Sequence, residues 1–312
     1  MGEPGSVVYL LAEGLRRKFR MGDGRKCVLY AAENHNRAAE ILEESLTQSL
    51  GEDKFLVKQL LQCLNTVIGK MSGSVADRSQ IEEQGLAPIV AGIGRCFLVE
   101  EFNRILVTRI RWPGFRRGIE VFEEKDDLLP FEEAKLYGHN GMHAVMGYLA
   151  RLRGHRFIAE VRDDSAVFES AREAALEESG RALCIKHAGR DPLFTAEGFR
   201  SYIDDLLERM VNPHLRDSVE RVVRDPRRKL GWEDRLVGAM RLALAHGIEP
   251  RRFALGAAAA LAMLREFDPN PDDVLLDEAW SDSGAARSER LRIARLIAEA
   301  GRGLAEFGPG RR

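Results

Sequence analysis

The sequence predicts an α/β plus all-α protein: a partial parallel sheet followed by a multi-helix C-terminal domain. Three observations carry this. Short apolar runs alternate with helical patterns from residue 7 to about 110. Beyond Phe131 strong helix formers dominate, in long periodic segments. Between them residues 111–130, with Pro113, Gly114, Gly118 and Pro130, form an irregular joint. The expected domains are therefore 1–125 and 126–312.

In chain order, residues 7–19 read as a helix with Val7, Leu10, Leu11, Leu15 and Phe19 near one face. Gly22 and Gly24 punctuate, and 26–34 is short, apolar and polar at its end, as a buried strand is. Residues 37–50 form a helix, 64–73 a second strand, and 96–110 one or two more. Strand, helix, strand in this order suggests βαβ units. Seven helical segments follow at 131–152, 158–188, 195–210, 214–224, 231–246, 250–266 and 284–306. Gly154, Gly189, Asn212-Pro213, Gly247 and Pro269 punctuate them. No fixed-period repeat is present, which argues against a solenoid.

Composition excludes several classes. Lys plus Arg total 47 against 49 Asp plus Glu, a net charge of −2, without the basic surplus that binding by counterion release requires. At 45% hydrophobic and 31% charged residues the chain is ordinary for a folded globule. No run approaches the roughly 20 apolar residues of a membrane span. The N-terminus carries neither a basic n-region nor a small-residue cleavage site. Cys27, Cys63, Cys96 and Cys184 stand far apart and form no C-x-x-C pair, so a reducing, cytoplasmic setting is expected.

The chemistry concentrates in three stretches. In 132–150, Lys135, Asn140 and His143 form a K-x4-N-x2-H arrangement. On a helix Asn140 and His143 share a face, while Lys135 lies more than a turn earlier and can lean toward them. A lysine whose pKa is lowered serves as general base, an amide donates to a developing alkoxide, and an imidazole holds a hydroxyl. A solvated lysine and a capping asparagine are the alternative, and His139 points elsewhere on the helix. In 31–37 a strand ends at Glu33-Asn34, the position where open α/β sheets bind ligands, or equally a helix N-cap. In 212–230, Asn212-Pro213 opens a helix and Arg221, Arg224, Arg227, Arg228 and Lys229 make a basic cluster. Arginine forks suit phosphate or carboxylate, although interleaved Asp217, Glu220 and Asp225 also fit a solvated face. A dinucleotide turn is missing. Gly92-Ile93-Gly94-Arg95 is the nearest candidate, but Phe97 takes the third glycine position and a strand follows, so a plain turn is the better reading.

Together these stretches resemble the polyol-specific long-chain dehydrogenases, the mannitol dehydrogenase family. The resemblance runs from the first helix to about residue 268. It rests on Lys135-x4-Asn140-x2-His143, on the strand-end Asn34 in AAEN, and on NPHLRDSVERVVRDPRRKL. That last segment and EESGRALCIKHAG (177–189) are most similar to the mannitol-1-phosphate 5-dehydrogenase branch.

The resemblance implies a metal-independent, NAD-linked oxidoreductase interconverting a polyol, mannitol 1-phosphate, and a ketose, fructose 6-phosphate. Lys135 would be the general base, Asn34 and Asn140 an oxyanion hole, and His143 a substrate-orienting group. Arg221 and Lys229 would hold the substrate, and Glu132 would relay protons to the lysine. Asn34 and Asp77, the latter beside Arg78, would lie at the cofactor. The extra arginines 224, 227 and 228 favour a phosphorylated substrate. Family members open with a strand and glycine-rich turn that bind NAD, and this sequence starts after both. The expected first domain is thus a truncated, Rossmann-like NAD-binding piece that binds NAD poorly alone, with a partner covering the exposed sheet. The alternative is a remnant that binds a sugar phosphate or a partner protein without turnover.

Overall fold

The computed structural model describes residues 5–22, 24–33, 36–101, 104–266 and 280–308. Its elements begin α1 (Val7–Arg20), β1 (Cys27–Ala31), α2 (Ala38–Leu50), α3 (Lys54–Leu60), β2 (Leu61–Ile68), β3 (Ser72–Val75), α4 (Arg78–Glu83), β4 (Cys96–Val99), β5 (Ile105–Thr108) and β6 (Phe122–Lys125). Then follow α5 (Leu129–Glu133), α6 (Asn140–Arg153), α7 (Ser165–Glu173), α8 (Arg181–Lys186), α9 (Ala196–Met210), α10 (Val219–Val223), α11 (Pro226–Lys229), α12 (Val237–Ala245), α13 (Arg251–Arg265) and α14 (Arg287–Gly301). They fall into two units. One comprises Met1–Lys70 and Glu101–Glu132, the other Met71–Glu100 and Glu133–Arg312, so the segment around β3 and β4 goes with the helices.

In the first unit, Ser6 caps α1 by accepting from the Tyr9 amide (3.2 Å), and Arg17, Lys18 and Arg20 complement its C-terminal dipole. The buried stripe is Ala12, Leu15 and Phe19; Val7 and Leu10, expected on that face, are exposed because the helical period carries Val7 off the stripe and Leu10 to the opposite side. β1 pairs with β2 in parallel, Cys27 opposite Leu61 and Ala31 opposite Asn65. β2 continues antiparallel to β5, and β5 runs parallel to β6, giving the order β1-β2-β5-β6. The expected partial parallel sheet is thus present, with one antiparallel seam between β2 and β5. Residues 64–73, read as one strand, divide between β2 and β3, and the two strands of 96–110 belong to different sheets. β6 lies inside the expected irregular joint. Its Phe-Glu-Glu-Lys carries little apolar signal because charges decorate this edge strand: Arg104 pairs with Glu123 (2.7 Å) and Lys125 with Glu123 (2.8 Å).

β2 is buried along most of its length, and its polar residues are satisfied. Asn65 Oδ1 accepts from the Ala39 amide (2.8 Å) and its Nδ2 donates to Glu40 (2.9 Å), which docks the first turn of α2 against the middle of β2, level with the carboxyl end of β1. Thr66 Oγ1 donates to the Ala31 carbonyl (2.9 Å).

In the second unit, β3 and β4 form an antiparallel hairpin, and Glu100 closes its base. Glu100 accepts from the Met71 amide (2.5 Å) and from Arg209 Nε and Nη2 (2.8 and 2.5 Å). Gly92 and Gly94 lie in an exposed turn before β4, in agreement with the turn reading. α6 is the hub: it is buried from Gly141 to Ala150 apart from His143. Glycines let its neighbours approach closely, since a Cβ at Gly147 would meet Val222 at 2.4 Å and one at Gly256 of α13 would meet Val145 at 2.8 Å. Tyr148 donates to the Val223 carbonyl (3.1 Å), and Trp280 Nε1 to that of Leu230 (2.8 Å). Each fully buried large side chain, such as Met142, Leu149 or Phe253, contributes roughly 1.5–3 kcal/mol.

Two expected helices are interrupted by π turns, at Ala134–His139 between α5 and α6 and at Ala174–Gly180 between α7 and α8. Phe199 of α9 is wedged against a glycine of each: a Cβ at Gly138 would stand 3.3 Å from its ring, and one at Gly180 2.7 Å. The segment 212–230 is not one helix. It consists of a 3-10 turn with Pro213 at its start, then α10 and α11, separated by left-handed Arg216 (φ 47°) and Asp225 (φ 63°).

Candidate active site

The first π turn settles how Lys135 relates to Asn140. In an α-helix five residues rotate by about 500°, leaving them about 140° apart on the surface. Here the Asn140 amide donates to the Lys135 carbonyl, an i to i+5 bond, so Asn140 stands one turn below Lys135 on nearly the same face. His143 follows three residues later on α6, on the face of Asn140. Lys135 is half-buried, and burial, reinforced by the charge of Arg235, holds its ammonium below the ordinary lysine range. His139 is buried. Desolvation, then the charges of His143 and Lys135, press its pKa well below the ordinary value, so this imidazole stays neutral.

His143 and Arg221 share Asp217. Arg221 grips the carboxylate with Nε on Oδ1 and Nη2 on Oδ2, both at 2.7 Å, and His143 Nε2 lies 3.1 Å from Oδ2. Burial raises the Asp217 pKa, but the close contact with His143 and the hydrogen bonds from Arg221 outweigh it and hold the carboxyl down at about 2. Lys229, at the end of α11, is 5% exposed and has no carboxylate in ion-pairing range among the described residues. Burial pulls its pKa to about 8, helped by the charges of Arg235 and Arg228. Arg235 is half-buried and pairs with Asp234 (2.7 Å). Its carbonyl lies against the first turn of α6, where a Cβ at Gly141 would meet it at 3.0 Å, and the Leu236 amide bonds back to the Lys229 carbonyl (3.4 Å).

The second unit therefore brings together Lys135, Asn140 and His143, with Arg221 tied to His143 through Asp217, and Lys229 linked electrostatically to Lys135 by Arg235. Asp77 caps α4, accepting from the Gln80 amide (2.8 Å). Glu132 is buried at the end of the first unit, its amide bonded to the Leu128 carbonyl (3.0 Å). Asn34 lies outside the described residues. The exposed Arg224, Arg227 and Arg228 are surface groups, and Arg228 is tied to Asp225 (2.9 Å). Asp217 and Arg235 escaped the sequence reading as functional groups. The only signal for Asp217 was its place four residues before Arg221, and for Arg235 there was none.

Residues 127–304 match the family described as mannitol dehydrogenase C-terminal domain. By fold, the chain is similar to Pseudomonas fluorescens mannitol 2-dehydrogenase in ternary complex with NAD and D-mannitol, with a TM-score of 0.74 and 19% identity. That alignment covers 98% of this chain and 65% of the other. It is also similar to D-sorbitol dehydrogenase in substrate-free form, with a TM-score of 0.73 and 15% identity over 98% of this chain and 66% of that one. The chain spans about two thirds of the length of each of these structures. No helix among the described residues is long and apolar enough to cross a membrane. With the family match extending over more than half of its 312 residues and the whole fold alike, the chain belongs to the mannitol dehydrogenase C-terminal domain family.

Proposed function

We propose that this chain carries the substrate site of a metal-independent polyol dehydrogenase that interconverts mannitol 1-phosphate and fructose 6-phosphate with NAD. The observation that carries the reading is the π turn that puts Lys135 above Asn140 and His143, with the lysine pKa lowered by its surroundings. Lys135 Nζ takes the hydroxyl proton. The Asn140 amide donates to the oxygen as negative charge builds on it, and Asn34 is its expected partner in that role. His143 orients the hydroxyl, Arg221 and Lys229 hold the remaining hydroxyls or the phosphate, and Glu132 is the expected proton relay. Bound at the parallel β1–β2 edge and the start of α2, NAD would supply the acceptor for the hydride of the carbinol carbon.

The sheet fits this cofactor in part. β1 and β2 are parallel and α2 enters after the carboxyl end of β1, the arrangement that binds nucleotides in α/β sheets. The sequence holds no G-x-G-x-x-G turn to grip a pyrophosphate. That observation favours a second reading, a chain that binds a sugar phosphate or a partner protein without turnover. For the phosphorylated substrate, the support comes from buried Lys229 and half-buried Arg235 rather than from the three exposed arginines. The two readings separate in one assay with mannitol 1-phosphate and NAD. Reduced cofactor formed by the chain excludes the second reading, whereas sugar-phosphate binding without it at any NAD concentration overturns the first.

A further inference from the structure

We propose that Asp217 is a positioning residue that joins His143 and Arg221 into one substrate-orienting unit, an inference that rests on the polyol-dehydrogenase reading. The geometry is specific. Arg221 binds both carboxylate oxygens at 2.7 Å, and Oδ2 also lies 3.1 Å from His143 Nε2, so neither side chain can turn without disturbing the other. Among the described residues no other carboxylate lies within ion-pairing range of His143 or Arg221. The side chains of Asp217 and His143 are 12% and 18% exposed, which strengthens their contact relative to a surface pair, while the Arg221 fork, 55% exposed, stays open to a ligand.

The backbone beneath it is pinned on both sides. The Asp217 carbonyl accepts from the Ile158 amide (2.9 Å), the Val219 amide donates to the Arg156 carbonyl (2.9 Å), and Ser218 Oγ caps α10 at the Arg221 amide (3.3 Å). Left-handed Arg216 (φ 47°) turns the chain just before it. The carboxylate stands 3.1 Å from Nε2 at ion-pair distance, off ideal hydrogen-bond alignment, and its charge favours the imidazole proton on that nitrogen, with Nδ1 then the acceptor for a substrate hydroxyl. The same carboxylate fixes the plane of the Arg221 fork. Asp217 thereby acts through its two neighbours and touches no substrate itself.

The test uses the full chain with Asp217→Asn, Arg221→Ala and their combination, titrated calorimetrically with mannitol 1-phosphate and with mannitol. The ring nitrogens of His143 are followed by NMR without ligand. Loss of a charged partner at a buried contact predicts that Asp217→Asn weakens binding by about 10–100-fold. The combined variant should bind no more than about threefold more weakly than Arg221→Ala, because the two act as one unit. The His143 ring signals should move in Asp217→Asn and stay in place in Asp204→Asn, which removes a carboxylate paired elsewhere with Arg172. Additive losses, or unmoved His143 signals, overturn the inference and leave the functional reading standing. A parent chain that binds neither polyol overturns the functional reading instead, while the ligand-free signals still decide the tie to His143. If Asp217→Asn fails to fold, Asp217→Glu, which keeps the charge and moves it by one methylene, carries the same comparison.

Discussion

Lys229 illustrates how this site sets affinity against stability. Its ammonium is buried with no carboxylate in ion-pairing range among the described residues, and burial holds its folded pKa at about 8, below the unfolded lysine value of about 10.4, despite the charges of Asp225 and Asp234. Between those values the unfolded chain binds more protons, so stability attributable to Lys229 rises with pH across that window and is lacking at pH 7. Lys229→Met should therefore stabilise the fold at pH 7 by about 1–3 kcal/mol, read from denaturant unfolding, and abolish binding of the sugar phosphate. Destabilisation at pH 7 would contradict the burial argument. Arg235 makes a second residue-scale prediction. Its charge lowers the Lys135 pKa, so Arg235→Met raises that pKa and moves the acid limb of the turnover profile to higher pH; an unmoved or downward-shifted limb would refute it. Lys135, Asn140 and His143 were legible in the sequence because they share one short spacing. Asp217 and Arg235 were not, because interleaved acids and arginines read as a solvated surface until the fold shows which of them are buried.

At the scale of elements, the periodicity that locates helices cannot see the first π turn, because α6 is apolar on nearly all sides and has no narrow stripe whose shift in phase would reveal it. The sequence therefore indicated continuous helices at 131–152 and 158–188 and left Lys135 more than a turn away from its partners. The two π turns meet across Phe199, and Gly180 makes this possible: a Cβ there would stand 2.4 Å from the Ala175 carbonyl and 2.7 Å from the Phe199 ring. Gly180→Ala should cost about 1–3 kcal/mol of stability, measured by thermal or denaturant unfolding, as overpacking does elsewhere. An unchanged midpoint would show that the turn reverts to α-helix without cost. The polar strand β6 was missed for a related reason, since its stability comes from cross-strand ion pairs and from the contact of Phe122 with Tyr30 (4.7 Å between ring centres), which no local pattern announces.

At the scale of the molecule, the α/β and all-α halves were legible from composition alone, since helix formers dominate one and alternating short runs the other. The placement of Met71–Glu100 with the helical unit was not, because it depends on the Glu100–Arg209 pair across 109 positions of sequence. Without a glycine-rich turn, calorimetry on the 312-residue chain should give an NAD dissociation constant nearer millimolar than micromolar. Micromolar binding would mean that the four strands suffice. The most direct test of the central claim compares the parent with Lys135→Ala at saturating mannitol 1-phosphate and high NAD. A positioned general base contributes about 10²–10⁴-fold, so the variant should lose at least about 100-fold in turnover while binding the sugar phosphate within a few-fold of the parent. A Lys135→Ala chain that forms reduced cofactor as fast as the parent would contradict the account.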